Sequence, residues 1–296
     1  MTILVAGASG FVGQALLAEL AREATGTPVR ALVRSEFDAL RLRERGVEVA
    51  TADLVSRRGL DGAVRGIETL VYLVHTLDRA GDVVANDVEA VQNTMLAARA
   101  AGVQRVVFLG CVAADEAARA RYLTARWAVE LAVRQSGLRH VILRAPLIVG
   151  RGGTLFELLR RSVDRSPVVP LFNWRNTEAE PVALSDVTVA LTMATLDPEL
   201  DGRSFDICGA ERTTIGAMVR AFGQSRGRRR IYLPLPSSGV LIGEQLAWTL
   251  GRLPHREARL LLETLQEPQV CRDPSRRFPL GRRPLNYTQT LAAFAS

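Results

Sequence analysis

The first thirteen residues, MTILVAGASGFVG, restrict the fold more than any other stretch of this chain. Residues 2–6 are a short apolar run with β-branched side chains, the pattern of a buried parallel strand. The run passes directly into Gly7-Ala8-Ser9-Gly10-Phe11-Val12-Gly13, a G-x-x-G-x-x-G turn. A helical apolar pattern follows at Val12, Ala15, Leu16 and Leu20. Strand, glycine turn and helix start, in that order, form a site for a dinucleotide. Gly7 permits the tight turn, Gly10 lets backbone approach a pyrophosphate, and Gly13 lets the helix pack on the strand. The N–H groups of the first helical turn, around Ser9, Phe11 and Val12, then point at the phosphates.

The same alternation repeats downstream. Strands are expected at 28–33, 47–50, 69–74, 105–111 and 140–143. Helices are expected between them: one capped by Ser35 with Asp38 as its capping-box partner, a short one over 56–66, and longer ones over 81–101 and 120–135. Strict β-α alternation with short turns predicts an α/β chain with a parallel, doubly wound sheet. Past Arg144 the pattern loosens. A glycine-rich turn at 150–153 leads to a helix over 155–163 and an irregular, proline-rich stretch over 167–181. Short strands are expected at 181–184, 203–208 and 231–235, and helices at 185–195, 213–226, 239–265 and around 289–294. The expected division is a dinucleotide domain over 1–150 and a smaller α/β lobe over 151–296. That lobe would share strands with the first and face the substrate or a partner.

Composition narrows the chemistry. The net charge is +7, and all 38 basic residues are arginine, so no step can use a lysine amine. Arg228-Arg229-Arg230 and the cluster from Arg272 to Arg283 read as solvated basic faces, because no aromatic residues are interleaved to make a nucleic-acid groove. The three cysteines, Cys111, Cys208 and Cys271, are odd in number, far apart and without metal-ligand spacing. That usage reads as a reducing compartment with no bound metal. No apolar run reaches about 18 residues, and no charged-then-apolar leader precedes the first strand. The expectation is a soluble, cytoplasmic protein; its oligomeric state is not readable from sequence.

The end of the second strand selects the cofactor. A carboxylate there would bind a ribose 2′-hydroxyl. This chain has Arg34, whose guanidinium can pair in bidentate fashion with a 2′-phosphate. NADP is therefore favoured, while Glu36 nearby keeps NAD open. Asp53, just past the third strand, can hydrogen-bond the adenine amino group, with Leu54 against the ring. Val74 and His75 end the fourth strand, where an imidazole can bond a phosphate or ribose or move a proton.

Taken together, GASGFVG, ALVR, ADL, Arg144-Ala145-Pro146-Leu147-Ile148-Val149-Gly150 and Pro181-Val182-Ala183-Leu184-Ser185-Asp186-Val187 resemble the extended and atypical short-chain dehydrogenase/reductase superfamily, in particular its NmrA-like and complex-I-associated branch. The resemblance covers residues 1–209. It implies a Rossmann domain, a substrate lobe from the C-terminal half, and carboxamide contacts from the backbone at Pro146 and Ile148. It also implies a Tyr-x-x-x-Lys pair, assisted by Ser or Thr, for proton transfer at a carbonyl. Here the pair is Tyr122 and Arg126, one helical turn apart on one face. Arg126 supplies charge and can hold a ribose hydroxyl, but it cannot lose a proton. Gly110-Cys111-Val112 stands where the Ser or Thr would be, and a thiol is a weak donor. Two expectations follow. The first is an NADP(H)-dependent oxidoreductase acting on a small carbonyl or alcohol, with an apolar substrate left open. The second is a non-catalytic NADP(H) binder that senses redox state or assembles with a partner. A nucleic-acid or membrane-surface role rests on charge alone.

Overall fold

The computed structural model describes residues 1–236 and 254–293. Its central sheet is assembled from β1 (Ile3–Ala6), β2 (Val29–Val33), β3 (Glu48–Thr51), β4 (Thr69–Tyr72), β5 (Arg105–Cys111) and β6 (Arg139–Ala145), with Ser204–Asp206 as a seventh strand. In space the order is β3-β2-β1-β4-β5-β6 followed by Ser204–Asp206. The pairings of β1 with β2 and β4, of β2 with β3, and of β4 with β5 are all parallel. The helices α1 (Phe11–Glu23), α2 (Glu36–Arg43), α3 (Leu60–Ala63), α4 (Val83–Ala100) and α5 (Arg121–Gln135) connect the strands in turn. This is the expected α/β, doubly wound Rossmann arrangement, with the strand order reversing between β1 and β4.

Local sequence explains the element ends. Ser35 caps α2 by accepting the Phe37 N–H at 3.2 Å, and Asp82 caps α4 by accepting the Ala85 N–H at 2.8 Å. Four-residue strands such as β1 and β4 are buried along their whole length, as expected for a sheet covered on both faces. On one face Leu4, Leu70, Tyr72, Val91, Met95, Phe108 and Ile142 share a single apolar cluster.

The chain divides into two compact units, each assembled from separated segments. The first comprises Met1–Cys111, Ala125–Arg144 and Thr188–Phe205. Two buried charges hold it together. Arg105, 4% exposed, pairs with Asp201 at 2.6 Å and donates to the carbonyls of Ala194, Thr195 and Asp197. Glu130, fully buried, accepts from Arg134 and Arg144 at 2.7–2.9 Å. Pairing and multiple hydrogen bonds are what make such buried charges tolerable.

The second unit comprises Val112–Thr124, Ala145–Val187 and Asp206–Ser296. Its core gathers Phe156, Phe172, Trp174, Met218, Phe222, Leu262 and Leu291. Within the stretch expected to be irregular, Val168–Leu171 forms a strand parallel to Ile231–Pro234. Pro170 and Pro234 are accommodated because the sheet has two strands among the described residues, so each strand has an edge where a missing N–H costs no ladder bond. Asp186, fully buried, is satisfied by Arg282 and by the Leu285 N–H at 2.9 Å.

The cysteine reading needs correction. Cys208 and Cys271, separated by 63 residues in sequence, are joined as a disulfide with Cα atoms 6.2 Å apart. Folding, not sequence spacing, brings them together, and the argument for a reducing compartment loses this support. Cys111 remains a thiol. Residues 239–253 of the helical stretch expected over 239–265, and Phe294 near the end of the last expected helix, lie outside the described residues.

Candidate dinucleotide site

The glycine turn is shaped mainly by backbone, with one side-chain bond from Gln14 Nε2 to the Ser9 carbonyl at 2.7 Å. Gly7 adopts φ +86°, a region that favours glycine. Its carbonyl accepts the Gly10 N–H at 3.1 Å, closing the turn. Gly10 then serves as the N-cap of α1, with no side-chain cap and no acidic residue in the first turn. The first-turn N–H groups are thus left for an anion. Gly13 is the tightest position. A Cβ there would stand 2.2 Å from the Gly7 carbonyl oxygen and 2.8 Å from Ala8 Cα. Any side chain would push helix from strand and open the cradle, so the turn fits a diphosphate.

A cleft of about 280 Å³ extends from this turn along the C-terminal ends of β1, β2 and β4. Gly7, Ser9 and Gly10 line one end. Leu32, Leu54 and Val74 contribute apolar wall. Arg34, Asp38, Asp53, Asp78 and Arg79 line the other end. The cleft lies at the reversal of strand order, the general ligand position in open α/β sheets.

The far end is held by two ion pairs. Arg34 Nη2 is 2.6 Å from Asp78 Oδ2, with both groups about half exposed. Arg79 Nη1 reaches both Asp53 oxygens at 3.0 Å. Asp53 also accepts the N–H groups of Val55 and Ser56 at 3.0 and 3.3 Å. Burial pushes the Asp53 carboxyl upward, but its bonds to Arg79, Ser56 and Val55 outweigh that and hold it below the ordinary aspartate value. Three carboxylates, Asp38, Asp53 and Asp78, and two guanidiniums, Arg34 and Arg79, therefore line the cleft.

The cleft floor is braced from behind. Asp87, 1% exposed, accepts the N–H and the hydroxyl of Thr76 at 2.7 Å each. Arg126, 3% exposed, donates to the carbonyls of Val74 at 2.7 Å and Leu109 at 3.2 Å, and stands 3.4 Å from Asp87 Oδ2. Its guanidinium carbon lies 4.9 Å from the Phe108 ring centroid. This one cation therefore ties together the ends of β4 and β5, α4 and α5. His75 reaches solvent and lines the cleft. Its pKa is held below the ordinary value by desolvation on its protein side and then by the Arg126 charge, against the opposing pull of Asp87 and Asp78.

Of the residues singled out from sequence, the cleft brings together Gly7, Ser9, Gly10, Arg34, Asp53, Leu54, Val74 and His75. Phe11, Val12 and Gly13 form the first turn of α1. Arg126 lies behind the cleft wall. Tyr122 is half-buried in the first turn of α5. Pro146 immediately precedes Leu147, and Ile148 belongs to the two-residue strand Ile148–Val149, paired with Val182–Ala183. Sequence reasoning missed Asp38 as a cleft residue, along with Thr76, Asp78, Arg79 and the buried Asp87. The signal for Asp78 and Arg79 was present: they follow His75 at a strand end already assigned to the crevice.

Comparison with known proteins agrees with this geometry. Residues 7–166 match the model of an NAD(P)H-binding family. A ceramide reductase of Caulobacter vibrioides is 28% identical over 254 residues, which cover 83% of this chain and 78% of that protein. A (4-alkanoyl-5-oxo-2,5-dihydrofuran-3-yl)methyl phosphate reductase of Streptomyces griseus is 37% identical over 143 residues, or 48% of this chain and 46% of that one. Among solved structures, the Citrobacter triphenylmethane reductase complexed with NADP(H) superposes with a TM-score of 0.80 at 18% identity, covering 98% of this chain and 99% of that one. The Escherichia coli NADPH-dependent quinone oxidoreductase complexed with NADPH does so at 0.80 and 18%, covering 99% and 100%. No described helix is long and apolar enough to cross a membrane. With its glycine cradle, its reversed strand order and a family match over more than half its length, the chain belongs to the NAD(P)H-binding family and has a Rossmann fold.

Proposed function

We propose that the protein is an NADP(H)-dependent reductase of a small, largely apolar carbonyl compound. The observation that carries this reading is the cleft itself: a backbone cradle at one end and Arg34 at the other, facing the same crevice. The relatives named as reductases support the same class. NADPH, when bound, supplies the hydride. The chain's own residues bind, orient and move the proton. The first turn of α1 holds the diphosphate. Arg34 would pair with the 2′-phosphate in place of Asp78. Leu54 would wall the adenine, and Asp53, fixed by Arg79, would accept from its amino group. Tyr122 donates the proton to the carbonyl oxygen. Its phenol needs a nearby positive charge to act as an acid near neutrality, and Arg126, one turn along α5, is the cation on that helix face. Arg126 also shapes the cleft floor by fixing Val74, and His75 after it.

A second reading is a binder that does not turn over. It is favoured by the commitment of Arg126 to the Val74 and Leu109 carbonyls and by Gly110-Cys111-Val112 at the end of β5. One experiment separates the two. Purified protein is titrated with NADPH and NADH by fluorescence and then offered a panel of apolar ketones, aldehydes and quinones. Turnover lost in Tyr122→Phe, with NADPH affinity retained, supports the reductase. Saturable NADPH binding with no oxidation across the panel supports the binder. Failure to bind either coenzyme refutes both.

A further inference from the structure

The second unit contains a cavity that the cofactor does not use. It measures about 260 Å³ and lies between the helix Thr154–Arg165 and the helix Ile215–Ser225. Its floor is apolar: Phe156, Phe222 and Leu291. The two phenyl rings meet edge to face with centroids 5.3 Å apart, and Phe222 is 1% exposed. Its remaining lining is polar, with Arg151, Arg160 and Arg226 beside one carboxylate, Glu157, and Ser225.

Carboxylates fix two of these guanidiniums, Arg160 and Arg226. Glu157 Oε2 takes Nε and Nη2 of Arg160 at 3.0 and 2.8 Å. Asp164 Oδ2 stands 3.4 Å from Arg226 and 3.7 Å from Arg160. Arg161 is also drawn to Glu157, at 3.8 Å. Two acids thus serve Arg160, Arg161 and Arg226, and Arg228-Arg229-Arg230 follows directly after Arg226 and Gly227. The helix Thr154–Arg165 begins beside Arg151 at Gly153, with no side-chain cap, which adds the positive end of its dipole. A guanidinium carries five donors in a fork suited to a carboxylate or phosphate.

We propose that this cavity is a second ligand site, for an anionic amphiphile: a phosphate or carboxylate head on the arginine rim, with a short alkyl portion on the Phe156–Phe222–Leu291 floor. The apolar floor argues against a free inorganic anion. The site stands independently of the cofactor reading, because none of its residues lines the dinucleotide cleft.

The test is calorimetry on the full chain saturated with NADPH, using decyl phosphate below its micellar concentration. The expected result is saturable binding, with decanol and inorganic phosphate each weaker by about tenfold or more, since each lacks half of the interaction. Arg151→Gln and Arg226→Gln should each weaken decyl phosphate by about tenfold, the loss of one charge-assisted hydrogen bond. NADPH affinity and thermal midpoint should stay unchanged in both variants. Flotation with phosphatidylglycerol vesicles that depends on the same arginines assigns the ligand to a membrane lipid. Binding of the soluble probe without flotation assigns it to a free amphiphile. The proposal is overturned if both variants bind the probe as the parent does, if NADPH competes with it, or if adenosine monophosphate binds more tightly than decyl phosphate.

Discussion

The two ends of the dinucleotide cleft are built by different means. At the glycine turn, the shape is made of backbone: the φ of Gly7, the uncapped start of α1, and the absence of a Cβ at Gly13. At the adenosine end, the shape is made of side-chain ion pairs, Arg34 with Asp78 and Arg79 with Asp53. A backbone cradle is rigid and nonspecific, since every dinucleotide carries a diphosphate. A side-chain end is adjustable, because a half-exposed ion pair is worth only about 0–1 kcal/mol and can exchange partners. Recognition of the class and selection within it are thus assigned to different physical devices.

The largest effect is expected where both ends share a wall. Arg126→Met would leave Asp87 buried without its cation, at a cost of about 3–5 kcal/mol. Urea denaturation should show that loss, together with weakened binding of both coenzymes. A loss under 1 kcal/mol would mean that Arg126 is not the brace. Gly13→Ala comes next. Overpacking at a backbone contact costs about 1–3 kcal/mol, and NADPH and NADH titrations should weaken in parallel. A selective loss of NADPH would break the distinction drawn between the ends.

The adenosine end should behave oppositely. Arg34→Gln is expected to weaken NADPH by about tenfold, one charge-assisted interaction, and to leave NADH unchanged. Asp78→Asn should do the reverse, tightening NADPH by a few-fold, because the 2′-phosphate would no longer compete with a carboxylate for Arg34. Equal titration curves for parent and variant would remove Asp78 from the selectivity argument. The smallest effect concerns pH. Asp53 has a depressed pKa in the folded state, so its contribution is present above the ordinary aspartate value of about 4 and is lost as pH falls through the lower folded value. The difference in melting temperature between parent and Asp53→Asn should therefore be constant near neutrality and shrink toward zero in acid.

Much of the first unit was legible because its signals are local. A four-residue apolar run, a glycine triplet and a helical period specify β1, the turn and α1 without reference to distant residues. The capping of α2 by Ser35 and the parallel order of strands follow from similarly short-range rules. Residues 167–181 were harder. Prolines argued for an irregular stretch, and only the pairing of Val168–Leu171 with Ile231–Pro234, some 60 positions away, makes a strand there. Asp38 was assigned to a helix cap on spacing, while the fold turns it toward the cleft. Asp78 and Arg79 follow His75 at a strand end, but nothing in their neighbours announces Arg34 and Asp53 as their partners.

By itself, the sequence determined that this chain makes a glycine-cradled, parallel α/β domain for a dinucleotide, because the constraints involved act over a few adjacent residues. Tertiary structure alone decided which charges are spent inside the protein and which face a ligand. Arg126 was singled out as a ribose contact, yet it sits behind the wall against two carbonyls and Asp87. Cys208 and Cys271 were read as distant, yet they share a bond. A side chain's chemistry is written in its residue type, but its partner is set by distance in space, and distance in space exists only after the chain has closed on itself.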